Sequence, residues 1–547
     1  MNSLLELYKW LNYKISQNLF LFFSFAILSI GSGYALIVPI FEGFDETAHF
    51  SRILEISSSN LSFLKNHSYI DKSIFNYEGP SPYNSGNPPF DHEKSYRNFF
   101  SDNTKISFYE KEYRQSHEVS NFIFSPLENW EYQHPPLYYL ILAPFINFFP
   151  DISLLNKIIL LRILSYLMAL GGILFAYKAI KDNVDSSRND FLRLGFLVYP
   201  VIFPMFFLEF SRIGNDSLVL FFSGALFLAL SKFNKDSSSL KKSTLVGFLL
   251  GLGLLTKALF VPIFLAVLFF YSSKLFFKGS TKKSFVSLLL LFVTMILTAG
   301  GWYLYKYLVF SDIGAGIESL QLNEQGGLIA GLKEHFSLMT FLRALVVPIA
   351  TFLWAGSWSL TRMPIALYVP MICISLFLFL FYFLKIKKRL LDSSSFLVWL
   401  FLFFYAGLTY HILISMAVGG VATSPGWYLH VLFPWIACAI GLSLETILTS
   451  RKYSILFYAQ IIYAALFHIF ALWLLLSLYS GCSIKGDNKH FEFENNYYCL
   501  DQFNTVLHKV NILNHSYLGL LLIFIGFFIY TLLLNIAFRE RLDFVKN

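Results

Sequence analysis

Apolar runs long enough to cross a bilayer recur along the whole chain, and they leave few alternatives for its fold. A helix needs about 20 apolar residues to span the hydrocarbon core. Such runs lie near 20–40, 156–180, 191–209, 216–233, 243–256, 258–272, 284–309, 364–384, 394–416, 428–447, 454–480 and 514–537. Lipid offers no partner to a bare peptide group, so these segments must be helices packed on one another. The expectation is an all-α, polytopic transmembrane helical bundle of about twelve spans. Composition agrees: 56% of the 547 residues are hydrophobic and only 14% charged, against about a quarter charged in soluble domains.

The formal net charge of +8 could invite a nucleic-acid reading. Lys and Arg fall instead in short clusters between apolar runs: Lys241–Lys242, Lys282–Lys283, Lys385 to Arg389, and Arg451–Lys452. That is how cytoplasmic loops read under the positive-inside rule, so nucleic acid is not an expected partner and both termini are expected on the cytoplasmic side. The first run follows Lys9 and Lys14, is too long for a signal-peptide core and has no small-residue cleavage site after it, so it is expected to remain as a signal anchor. Pro135 to Phe149 and Leu338 to Leu360 are apolar but interrupted by proline or polar residues, and are placed as helices in the outer interface.

The chain then divides into an anchor and first span (1–40), a large first outer loop of short helices (41–155), a central bundle (156–310), a second outer loop with an interfacial helix (311–363), and a C-terminal bundle (364–547) carrying an outer loop at 481–513. No internal repeat is evident, which argues against a transporter of two inverted halves. Four cysteines exclude a disulfide-rich scaffold. Cys482 and Cys499 share one polar loop and can close as a disulfide in an oxidising compartment.

Polar side chains concentrate just outside the spans. Gly43 to Arg52 reads GFDETAHFSR, with Asp45, Glu46, His49 and Arg52 at the mouth of the first span, where desolvating charge is costly. If the stretch is helical, Asp45, His49 and Arg52 share one face. Acidic residues after a span also cap surface helices, and spacing alone does not separate the two readings. Tyr132 to Tyr139 sets His134 before a proline pair that can start a helix, with Tyr138 inside it; an interfacial helix with a tyrosine belt reads as well. Glu209 to Ser217 is a tight turn holding Arg212, Asn215 and Asp216. Lys257 interrupts an otherwise continuous apolar run and calls for an anionic partner. Gly247 and Gly251 form a GxxxG, read as helix packing. Thr423 to His430 brings Trp427 and Tyr428 to the start of a late span.

Carboxylates beside Arg52, Arg162, Arg212 and Lys257 suit transfer of a sugar from a polyprenyl phosphate: a base deprotonates the acceptor hydroxyl while cations hold the departing phosphate. No P-loop, and no GxGxxG in a strand–turn–helix context, is present for a nucleotide. The motifs FDETAHFSR, EYQHPPLYY, RIGNDSL, GLLTKA, GGWYLYKY and SPGWYLHVLFP, in that order over residues 41 to 435, resemble the GT-C superfamily of integral-membrane glycosyltransferases. Within it they look closest to an uncharacterised group of predicted bacterial membrane proteins.

The resemblance implies a GT-C-like fold and Asp45 as catalytic base, with Glu46 as its helper or a metal ligand. It implies Arg212 and Lys257 at the lipid phosphate, and His49, Arg52, His134, Tyr138, Asn215, Asp216, Trp427 and Tyr428 as substrate-binding. Where such proteins commonly carry Gly-Arg-Tyr, this chain has Gly426-Trp427-Tyr428 and lacks that cation. Some members use a divalent metal, for which Asp45, Glu46 and His49 are the candidate ligands. The expected activity is inverting transfer, from a polyprenyl-phosphate sugar to an envelope glycan, lipid or protein, on the outer face of the cytoplasmic membrane. An O-antigen-type polymerase or ligase, which would rely on outer-loop arginines, and a lipid-linked saccharide transporter, with charges at the bilayer midplane, are the alternatives.

Overall fold

The structure is a computed structural model describing residues 18–546 except 59–66, 83–93, 117–121, 184–185, 279–281, 312–316, 362, 387–395, 421–424 and 484–498. Helices dominate it. In chain order the main ones are α1 (Leu19–Ile37), α2 (Glu46–Ser58), α3 (Leu137–Phe148), α4 (Leu154–Asn183), α5 (Ser186–Ile202), α6 (Met205–Phe210), α7 (Asp216–Phe233), α8 (Leu240–Leu254), α9 (Phe260–Lys278) and α10 (Lys282–Phe310). They continue with α11 (Leu328–His335), α12 (Leu338–Leu353), α13 (Ile365–Ile386), α14 (Phe396–Gly419), α15 (Phe433–Ile447), α16 (Arg451–Tyr479) and α17 (Ser516–Lys546). Between α2 and α3, β1 (Tyr69–Asp71) pairs antiparallel with β2 (Phe124–Glu128), and several short helices lie among the other described residues of that segment.

Among the described residues nine helices are long and apolar enough to cross a membrane, ten if α11 and α12, bent by 107° at their break, form one span. Three of the expected twelve spans fall short. The run at 191–209 breaks at Phe203–Pro204, because proline can neither donate to nor fit within a continuing helix, leaving α5 and α6. The runs at 243–256 and 258–272 are separated around Lys257. The 15 residues of α8 rise only about 22 Å, less than a hydrocarbon core of about 30 Å. The 12 residues of α3 are likewise too few to cross.

The bundle closes through glycines. A Cβ on Gly224 of α7 would collide with the carbonyl of Gly172 on α4, so these two helices meet backbone to backbone. Gly247 and Gly251 give α8 the same close approach to Leu291 and Thr298 of α10, so the GxxxG is a packing device. Cys482 and Cys499 form a disulfide joining the end of α16 to the segment before α17.

Candidate active site

The chain leaves α1 through a tight turn in which Phe41 (φ 63°) and Asp45 (φ 55°) both adopt left-handed backbone conformations. A β-carbon in that region costs about 1–2 kcal/mol, and Asp tolerates it better than most residues. Asp45 therefore sits before α2 rather than within it, its carbonyl accepting from the His49 amide at 3.0 Å. The shared helical face expected for Asp45, His49 and Arg52 does not form. Asp45 keeps partial exposure, whereas Glu42, Glu46, His49, Arg52 and Glu55 are all buried.

Glu46 points the other way. Arg162 of α4 grips it bidentately, Nε to Oε1 at 2.7 Å and Nη2 to Oε2 at 2.5 Å. The same guanidinium binds the carbonyls of Ala35, Val38 and Pro39 at the end of α1. Backbone amides of Phe41 and Ile213 also donate to the Glu46 carboxylate, each at 3.1 Å. A carboxylate saturated in this way holds α1, α4 and the Arg212 turn together, and has no lone pair left for substrate or metal. Glu42, which the sequence did not single out, plays a similar part without a cation. It accepts from Tyr96, Ser357 and Ser359, and burial raises its carboxyl above the ordinary range despite those bonds.

Asp45 belongs to a different network. The Trp130 indole donates to Asp45 Oδ1 at 2.8 Å. Burial, then the Glu131 carboxylate, push Asp45 from 3.8 up to about 6, against the pull of Trp130, Arg212 and Lys257. Burial also acts to raise Glu131, but His134, His49 and Lys257 outweigh it and bring that carboxyl down to about 2. His134 Nε2 lies 2.5 Å from Glu131 Oε2, and His49 Nε2 lies 3.9 Å from the same atom. Burial drops His49 to about 3, so its imidazole is neutral at ordinary pH; Nδ1 meets the Tyr139 hydroxyl at 2.9 Å. Two neighbouring carboxyls thus titrate far apart, the pattern that separates a proton acceptor from a permanent charge. Glu131 and Trp130 were missed in the sequence. The signal for Glu131 was its i,i+3 spacing to His134.

A second network abuts Asp45. Arg212 donates to Glu209 at 2.6 Å, to Asp216 at 3.0 Å and to the Phe44 carbonyl at 2.8 Å. Lys257, between α8 and α9, reaches both Asp216 oxygens at 2.9 Å and lies 4.3 Å from the Tyr428 ring centroid. The anionic partner expected for Lys257 is Asp216. Each cation here is matched by a carboxylate, so neither Arg212 nor Lys257 is free for a phosphate. Phe44 stacks on half-buried Trp427 at 4.1 Å and meets Trp358 at 5.8 Å. Tyr138 is buried, and its hydroxyl holds the Gly214 amide and Ser165, which makes it part of the turn's support. Asn215 is buried with neither amide atom hydrogen-bonded.

Arg52 turns from Asp45 to pair with Glu55 at 2.5 Å, and Ser68 donates to the same Glu55 oxygen. Lys306 belongs to α10. Lys306 is 2% exposed, and its ammonium lies 4.5 Å from the Phe310 ring and 5.2 Å from those of Tyr132 and Trp302. No described carboxylate pairs with it. Cation–π contact yields about 2 kcal/mol when desolvated, whereas burying an ammonium costs several kcal/mol. The aromatic box alone leaves this charge under-compensated.

Among the described residues no three His, Cys, Asp or Glu side chains gather as a metal site. Asp45, Glu46 and His49 diverge, the first to Trp130, the second to Arg162, the third to Tyr139 and Glu131. The proposed metal ligands do not fit a metal.

A family model described as a predicted membrane protein, DUF2142, matches residues 28–424. The chain belongs to that family. No curated protein matches the sequence. Among solved structures, ArnT from Cupriavidus metallidurans in the apo state is similar at 12% identity and TM-score 0.39, over 89% of this chain and 75% of that one. The same protein bound to undecaprenyl phosphate gives 13% and 0.38, over 79% and 71%. The Archaeoglobus fulgidus oligosaccharyltransferase in the apo form gives 12% and 0.35, over 84% and 55%. Backbone agreement at those scores carries no argument, so the function rests on the site.

Proposed function

We propose that this multi-pass membrane protein is an inverting glycosyltransferase with Asp45 as general base. Its donor is a sugar linked to a polyprenyl phosphate, and its acceptor an envelope glycan, lipid or protein at the outer face of the cytoplasmic membrane. The observation that carries the reading is Asp45 itself: a partly accessible carboxyl raised to about 6, held in place by the Trp130 N–H and set among ionised groups. A base with a pKa just below the working pH accepts a proton well and is mostly ionised when needed.

In the proposed step an Asp45 oxygen removes the acceptor hydroxyl proton while the hydroxyl oxygen attacks the anomeric carbon. The bond from that carbon to the phosphate oxygen breaks, and polyprenyl phosphate leaves with the electron pair. Glu131, ionised throughout, disfavours charge on Asp45 and so strengthens it as a base. The Arg212, Glu209, Asp216 and Lys257 cluster fixes the loop on which Asp45 stands, through the Phe44 carbonyl. Trp427 and Trp358, on either side of Phe44, offer aromatic faces for a sugar ring. The ionised groups join residues from the end of α1, the start of α7 and the α8–α9 break, which fits a site at one end of the bundle better than a transport path at its middle.

The test is transfer of labelled sugar from polyprenyl-phosphate donors by purified protein. Asp45→Asn is expected to lower the rate by about 100-fold or more with the protein intact; undiminished transfer by the variant would overturn the assignment.

A further inference from the structure

We propose that Lys306, boxed by Tyr132, Trp302 and Phe310, is the seat of a phosphate group carried by a lipid-linked ligand. The proposal deepens the sugar-transfer reading and rests on it. Its starting point is the charge inventory of the site. Arg212 and Lys257 are each paired with carboxylates, Glu209 and Asp216. Arg52 is paired with Glu55, whereas Lys306 has only aromatic neighbours and no carboxylate partner among the described residues. A buried cation without a counter-ion asks for an anion from outside the chain.

The ammonium can receive one. Among the described residues none accepts a hydrogen bond from Lys306, and its ammonium is met by aromatic rings alone. The Tyr132, Trp302 and Phe310 rings lie 4.5–5.2 Å from the ammonium itself and offer it π faces but no oxygen acceptor, which a phosphate would supply. Its level is that of a headgroup: Lys306 lies in the last turns of a span-length helix whose opposite end begins at Lys282, with Trp302, Tyr305 and Tyr307 around it as in an interfacial aromatic belt. That position favours a phosphate anchored in lipid over a soluble one.

Chemistry asks for the same separation. With inversion, the base serves the face of the sugar opposite the departing phosphate, so base and phosphate seat must lie apart with a sugar between them. Lys257 and Arg212 crowd the base. One short segment touches both groups: the Trp130 indole binds Asp45, and the ring of Tyr132, two residues on, faces Lys306.

Full-length protein in detergent micelles is titrated with a polyprenyl monophosphate and, separately, with inorganic phosphate, following the rise in thermal stability on binding. The lipid is expected to stabilise the wild type. Lys306→Met should weaken that binding by about 10- to 100-fold, and Lys306→Arg should retain most of it. Without ligand, Lys306→Met should be no less stable than wild type, since an unpaired charge has been removed. Equal lipid affinity for wild type and Lys306→Met overturns the proposal, as does a ligand-free variant that is merely destabilised with affinity unchanged. If inorganic phosphate binds through Lys306 and the lipid does not, the lipid assignment fails. Loss of lipid binding in Lys306→Met, with no sugar transfer found for any donor, leaves the seat standing and removes the transferase reading. Asp45-dependent transfer with lipid affinity indifferent to Lys306 does the reverse.

Discussion

Asp45 and Glu46 are neighbours in sequence with opposite physical situations, and their amide variants should separate sharply in stability. In Glu46→Gln the oxygens that met Arg162 at 2.7 and 2.5 Å become one neutral oxygen and one amide whose protons face a guanidinium. Arg162, fully buried, keeps the carbonyls of Ala35, Val38 and Pro39 but loses its one carboxylate partner among the described residues. Removing one partner of a buried pair costs about 3–5 kcal/mol. The bonds from Phe41 and Ile213 are weakened as well. Asp45→Asn keeps the Trp130 bond and removes a charge that the fold disfavours. The rise from 3.8 to about 6 corresponds to roughly 3 kcal/mol of unfavourable ionisation, reduced by the partial exposure of the group to about 1–2 kcal/mol. The sign follows from proton linkage: a carboxyl raised on folding lends stability below its unfolded value, and that stability is lost as pH rises towards about 6. At pH 7 Asp45→Asn should therefore be neutral or slightly stabilising. The assay is the temperature at which detergent-solubilised protein loses its monodisperse elution peak, measured for both variants at pH 7. Glu46→Gln is expected to fall by many degrees while Asp45→Asn holds. Equal loss in both, or a stable Glu46→Gln, would refute the division into a structural and a working acid.

Sugar transfer should rise with pH through about 6 as Asp45 loses its proton, while Glu131 and His49, at about 2 and 3, contribute no further acid limb; a rate flat from pH 5 to 8 would contradict the base assignment. Trp130→Phe removes a donor that lowers the Asp45 pKa, so its acid limb should move to higher pH, and an unmoved limb would show that the indole bond is idle. Without reductant, Cys482 and Cys499 should both resist thiol labelling because they are bonded to each other, and two labelled thiols in native membranes would contradict the bridge.

The membrane bundle was legible in the chain because lipid imposes one rule on every residue of a span: apolar side chains outside, peptide groups paired within. Local breaks were harder. Lys257 stood out as an interruption, but Phe203–Pro204 breaks a segment that hydropathy alone joins, since the average over a window hides a single residue that stops a helix. The motif after the first span was legible as a concentration of charge, and Lys257 as a cation needing an acid. Which acid answers which base was decided by packing alone. Glu46 is taken by Arg162, 116 positions away, and Asp45 by Trp130, 85 positions away, distances in sequence at which no periodicity speaks. A left-handed backbone at Asp45 turns adjacent carboxylates to opposite sides, so that one is spent on the fold and the other stays accessible. Sequence thus determined that charges gather at the ends of spans, because burying them elsewhere is too costly. Tertiary structure decided which of them are neutralised and which, at Asp45 and Lys306, are left to act, because that balance depends on partners brought together only when the helices pack.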